Sequence, residues 1–135
     1  MEDFTEYCRD VILEELDNYE GETVYGCDLG YTITEAMNYD GTCTYSTAEA
    51  KSYLKEWWDE AADYFEYEKF TFGKNLHNPF ENPEEYMVCM VIEGVAFILS
   101  RCNTIDRLWN DEFELTPEVI ERIKGEARKV EEVEF

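Results

Sequence analysis

The segment YMVCMVIEGVAFILSRC, residues 86–102, is apolar on every side, its longest run, Tyr86 to Leu99, broken only by Glu93 and Gly94. An amphipathic helix needs one covered stripe, whereas a helix of this composition must be covered all round. It is opened by Asn82-Pro83-Glu84-Glu85: a capping Asn, a Pro where the missing donor does no harm, and acids that suit the helix dipole. At about 1.5 Å per residue the apolar run is too short to span a bilayer. The rest of the chain must therefore supply helices that pack around it.

The flanking sequence offers them. In residues 3–19, Phe4, Cys8, Ile12 and Leu16 recur every four positions, Tyr7, Val11 and Tyr19 widen the stripe, and Gly21 follows as a stop. Ser46 and Glu49 form a capping box ahead of a helical period over residues 50–69, with Leu54, Trp57, Ala61 and Phe65 on its inner face. Residues 104–110 read as a short helical turn carrying Ile105, Leu108 and Trp109. Thr116-Pro117-Glu118 opens a last helix with Ile120, Ile123, Ala127 and Val130 inward, and residues 131–135 read as a fraying tail. Residues 23–38 fit two periods. Tyr25, Leu29, Ile33 and Met37 make a helical face, while the alternation Tyr25, Cys27, Leu29, Tyr31, Ile33 suits a strand, and Asp40-Gly41 is a hairpin-type turn. The helix is the preferred reading. The expectation is an all-α or mainly α, compact single-domain bundle (1–135) of about five helices around a nearly all-apolar central helix, with room for one small hairpin near residues 24–45.

The apolar and aromatic fractions, 44% and 16%, are those of a folding chain. Yet 33 acidic residues against 11 basic ones give a formal charge of -22, which opposes folding through self-repulsion. Such a chain is repelled by nucleic acid and by an anionic membrane surface alike, so neither is an expected partner. The five cysteines, Cys8, Cys27, Cys43, Cys89 and Cys102, are odd in number and lack a CxxC spacing, as in buried reduced thiols of a cytosolic protein. The acidic start MEDFTEYCRD is neither a secretory signal nor a transit peptide.

Catalytic signatures are missing. His77 is the single histidine and sits in an Asn- and Pro-rich loop; there is no GxSxG, HExxH, phosphate loop or EF-hand. Gly26 and Gly30 suit close packing better than phosphate binding. Glu93, inside the apolar helix, is the one candidate for a buried acid or base, against the simpler reading that it reaches the surface or pairs with Arg101. The expectation is a protein that is not an enzyme, with no cofactor and no metal site assigned.

The acids are ordered. Asp3, Glu6, Asp10, Glu14 and Asp17 follow steps of three and four, along one side of a helix. Glu49, Glu56, Glu60 and Asp63 repeat the arrangement, with Asp59 and Glu66 at its margins and Lys55 and Lys69 nearby. Like charges so spaced cost an isolated helix about 0.2–0.5 kcal/mol per pair, which the aromatic interior must offset. One charge per helical step of three or four residues is one per roughly 5 Å, and two such helices side by side approach the spacing of phosphates along a DNA strand, about 3.4 Å. These eleven residues are the candidate partner-binding surface of a DNA mimic, which would fill a basic nucleic-acid groove. Tyr39, Tyr45, Tyr64, Tyr67 or Trp109 would supply anchoring contacts.

The stretches CDLGYTITEAMNYDGTCTYSTAEAKSYLKEWWDEA and HNPFENPEEYMVCMVIEG resemble small acidic proteins encoded by phages and mobile elements of Firmicutes. Proteins of that kind are similar to anti-CRISPR and anti-restriction inhibitors. The resemblance implies an inhibitor acting in the cytoplasm of an infected bacterial host, its partner a CRISPR effector nuclease of type II. The alternative is an acidic interaction or regulatory module that binds a basic phage or host protein without blocking DNA.

Overall fold

The computed structural model describes residues 4–39, 83–131 and 133, together with Ala48, Ser52, Lys55 and Glu56. Its elements run α1 (Phe4–Glu15), a 3-10 turn (Leu16–Tyr19), β1 (Thr23–Tyr25), a second 3-10 turn (Gly26–Asp28), α2 (Leu29–Tyr39), α3 (Pro83–Arg101), α4 (Asn103–Arg107), β2 (Glu112–Glu114) and α5 (Pro117–Ala127). The fold is mainly α, as the periodicity predicts.

The all-apolar segment is α3, and it packs against α1, α2, α4 and α5. Met87, Met90, Val91, Val95, Ile98 and Leu99 are buried along it. Close approach on two sides depends on missing or small side chains. A Cβ at Gly94 would lie 2.5 Å from Cys8 Sγ and 3.0 Å from the Phe4 ring on α1, and one at Gly30 of α2 would lie 3.2 Å from Ala96 Cα. The central helix is thus gripped between α1 and α2 by two glycine contacts, one on each side.

From α1 the expected stripe Phe4, Cys8, Ile12 and Leu16 is buried throughout. Gly21 ends that unit with φ at 87°, a left-handed conformation that glycine adopts without strain. The ambiguous residues 23–38 resolve into both alternatives in turn: three residues of strand, one 3-10 turn, then helix. The small sheet is not a local hairpin. β1 pairs antiparallel with β2, Val24 opposite Phe113, and Asp40-Gly41 lies outside the described residues. β2 has no recognisable period, since two of its three residues are exposed acids.

The last helix starts as its sequence predicts. Thr116 Oγ1 accepts from the Val119 N–H at 3.3 Å, Pro117 takes the first position, and Ile120, Ile123 and Ala127 are buried. The tail departs from expectation. Val133 is 5% exposed and its N–H donates to Thr5 Oγ1 at 3.0 Å, so burial of one apolar side chain ties this point of the C-terminal segment to α1. Gly125 stands inside α5, and a Cβ added there would meet nothing within 4 Å. Alanine at that position removes backbone freedom from the unfolded chain without a clash, so Gly125→Ala should stabilise the protein by about 0.5–1 kcal/mol in urea denaturation.

Candidate functional site

The α1 row is real geometry as far as the structure describes it. Glu6 and Glu14 are exposed and Asp10 is half-buried, on a helix whose other side carries Phe4, Cys8 and Ile12 into the core. At its far end the row meets a cation. Asp17 sits on the 3-10 turn, where its carboxylate accepts from Lys124 Nζ at 2.7 Å. Lys124 is almost wholly buried, its stem covered by the core and its ammonium delivered to Asp17. Spacing along the chain carries no sign of this neutralisation, because the cation comes from α5, 107 residues away.

Arg9 also turns away from the row. Its guanidinium donates to the carbonyl oxygens of Ala127, at 3.3 Å, and Val130, closing the C-terminal end of α5. Of the second row, Glu56 is helical and exposed, as is Lys55 beside it. Asp3, Glu49, Asp59, Glu60, Asp63 and Glu66 lie outside the described residues, as do Tyr45, Tyr64, Tyr67 and His77.

Charge is segregated along the chain. Residues 10–50 and again 108–121 contain no Lys or Arg, whereas six of the eleven cations fall between Arg101 and Lys129. Those six belong to α3, α4, α5 and the turn that follows. Around them runs a cleft of about 820 Å³ lined by Phe97, Arg101, Asn103, Glu126 and Lys129, with a smaller one of about 390 Å³ beside it lined by Arg107, Arg122 and Glu126. The Arg101 guanidinium lies 4.7 Å from the Phe97 ring centroid. Glu126, shared by both clefts, is committed to structure: it accepts from the Thr104 N–H at 2.8 Å and the Thr104 hydroxyl at 2.7 Å, holding the start of α4.

The two cation-free segments meet in the two-stranded ribbon. Beyond the β1–β2 pairing, the Gly21 N–H donates to the Leu115 carbonyl at 2.9 Å, the Leu115 N–H to Glu22 at 2.8 Å and the Cys27 N–H to Trp109 at 2.9 Å. Val24 is buried and Phe113 half-buried on the inner face, while Thr23, Tyr25, Glu112 and Glu114 are exposed on the outer one. Tyr25 is 45% exposed, Tyr31 58% and Trp109 37%; these are the exposed large apolar side chains among the described residues. Of the anchoring aromatics expected from sequence, Trp109 is thus at the surface. Tyr25 and Tyr31 escape the sequence reading because both fit the apolar period of residues 23–38.

Catalytic chemistry finds no centre among the described residues. Glu93 is half-buried in α3 rather than sealed in the core. No group of three or more His, Cys, Asp or Glu residues is placed to hold a metal ion, and no helix is long and apolar enough to cross a membrane, among the described residues. Cys8 and Cys102 are buried free thiols, as expected, but Cys27 is exposed.

No family model, curated protein or solved structure matches this chain. The resemblance to phage and mobile-element proteins accordingly rests on the quoted sequence stretches alone.

Proposed function

We propose that this protein is a phage- or mobile-element-encoded inhibitor that occupies the basic nucleic-acid groove of a host defence nuclease, as a DNA mimic. A type II CRISPR effector is the target that the sequence resemblance favours. What supports the reading is the row Glu6, Asp10 and Glu14 on α1, a helix whose opposite side is locked into the core. Carboxylates held at fixed intervals compete for the cations that would otherwise meet phosphates, and binding gains from steering in the same way. The net charge of -22 works in the same direction.

The test is competition in a gel shift between guide-loaded effector nuclease and its target duplex. Excess protein should abolish the shift, with an apparent affinity that falls steeply as salt rises. Duplex binding that is unchanged at every salt concentration overturns the proposal. Combined charge reversal, Glu6→Lys, Asp10→Lys and Glu14→Lys, should weaken competition by about tenfold or more. Reversal at Glu56, Glu60 and Asp63 tests the second row in the same assay, and unchanged potency in both sets points to another surface.

A second reading is favoured by one observation. Tyr25, Tyr31 and Trp109 are exposed, and imitation of phosphates by the α1 row does not itself involve them. An acidic interaction module that binds a basic protein without filling its DNA groove would use such rings, and it would be captured by the partner while leaving duplex binding intact.

A further inference from the structure

The exposed Tyr25 and Trp109 rings stand on the two chain segments that contain no Lys or Arg. On the outer side of the ribbon Tyr25 stands opposite Glu112 and Thr23 opposite Glu114, so the Tyr25 ring and the Glu112 side chain start within about 5.5 Å of each other. Trp109 joins them from the neighbouring turn. A Cβ at Gly26, the residue after Tyr25, would lie 2.9 Å from Trp109 Cα, and the Gly26 N–H donates to the Asp111 carbonyl at 3.4 Å. Cys27, Asp28, Asp111 and Glu22 are exposed around this group. Arg107, the cation nearest to Trp109 in sequence, lines the cleft with Arg122 and Glu126.

We propose that this outer ribbon face, Tyr25, Trp109, Glu112 and Glu114, is the docking surface for an arginine-rich segment of a cationic partner protein. The proposal rests on the reading that the protein acts by binding a basic partner, and it adds to the α1 row a second, separate contact surface on the ribbon. Charge complementarity selects the occupant. Both segments that build the face lack Lys and Arg, so nucleic acid is repelled and a cation is drawn in. The rings select among cations: a guanidinium stacks flat on Trp or Tyr while its fork donates to flanking carboxylates, which a hydrated ammonium does less well. The ladder from Gly21 to Cys27 fixes the main chain that carries the rings and carboxylates, so little backbone freedom remains to be lost on binding.

The experiment is a 15N-resolved NMR titration of the whole protein with a synthetic nona-arginine peptide at about 0.15 M salt, where diffuse attraction is largely screened. Resonances of Tyr25, Trp109 (including its indole N–H), Glu112 and Glu114 should shift first, and a nona-lysine peptide should bind more weakly. Tyr25→Ala with Trp109→Ala should reduce affinity for nona-arginine by about tenfold. Glu6→Gln, Asp10→Asn and Glu14→Gln together should change it by less than about threefold. All these side chains reach solvent, and circular dichroism checks that each variant remains folded. Shifts centred on α1, equal affinity in the ring-deleted variant, or no binding overturn the proposal. So do the same shifts produced by a duplex oligonucleotide, or by raising protein concentration alone, which would assign the face to nucleic acid or to a second copy. The nuclease competition assay fails or succeeds independently: a protein that never displaces duplex but binds nona-arginine at the ribbon refutes DNA mimicry and leaves this surface standing.

Discussion

Alanine at Gly26 should destabilise the fold by about 3 kcal/mol, at the upper end of the usual cost of overpacking. The added methyl carbon would lie 2.5 Å from the Leu108 carbonyl oxygen, 2.8 Å from its carbon and 2.9 Å from Trp109 Cα. All three are main-chain atoms, so no rotamer change relieves the contact. The turn after α4 must move, and the bonds from Gly26 and Cys27 to Asp111 and Trp109 stretch with it. Gly94→Ala provides the comparison. Its obstacles are the Cys8 Sγ at 2.5 Å and the Phe4 ring at 3.0 Å, side chains with some freedom to adjust. Alanine also gains about 1 kcal/mol of helix propensity over glycine there. The net loss at Gly94 should be about 1–2 kcal/mol, and Cys8→Ala, which removes the closest atom, should make the second substitution cheaper. Urea denaturation of the four proteins in that cycle measures the coupling. Strict additivity would show that α1 and α3 do not meet at this contact, and a Gly26→Ala protein as stable as wild type would remove the turn from the fold's tight points.

What the sequence reveals and what it withholds divide along a physical line. The central position of residues 86–102 is legible because an all-apolar helix has one stable environment. The stripes of α1 and α5 and the Thr116 cap are local consequences of spacing and backbone shape, and Gly26 and Gly30 are legible as packing positions although their distant partners, Leu108 and Ala96, are not. β2 is not legible, because Glu112-Phe113-Glu114 becomes a strand only by finding β1, a pairing of residues almost ninety positions apart. The candidate surface shows the same division. Spacing correctly aligns Glu6, Asp10 and Glu14 on α1, but cannot say that Lys124 neutralises Asp17 or that Arg9 is spent on the end of α5. Equally, neither LGYTIT nor LWNDEFE indicates alone that Tyr25 and Trp109 come together, since the ribbon that joins them is a tertiary feature. Charge density belongs to the sequence; its arrangement into a face belongs to the long-range contacts.

Raising the pH above 9 should remove stability through Cys102. This thiol is wholly buried between α3 and α5, with Sγ 3.4 Å from the Ile98 carbonyl oxygen and 3.9 Å from that of Ile123. A protonated thiol donates to such oxygens, whereas a thiolate would face their lone pairs without water. Burial first, and the Glu126 carboxylate second, push its pKa from 9.0 up to about 12. The folded protein therefore keeps the proton at a pH where the unfolded chain has released it. The contribution is intact below pH 9, and between about pH 9 and 12 ionisation favours the unfolded state by about 1.4 kcal/mol per pH unit. High pH acts on more than this one group, so the informative quantity is the difference between wild type and Cys102→Ala. Their urea-derived stabilities at pH 8, 9, 10 and 10.5 should converge as pH rises, whatever constant offset the small cavity introduces; parallel curves would mean that the thiol ionises alike in both states. Iodoacetamide gives an independent reading of the same burial. Exposed Cys27 should react in the native protein, while Cys102 reacts only through opening of the core, so its labelling rate should follow urea concentration as unfolding does.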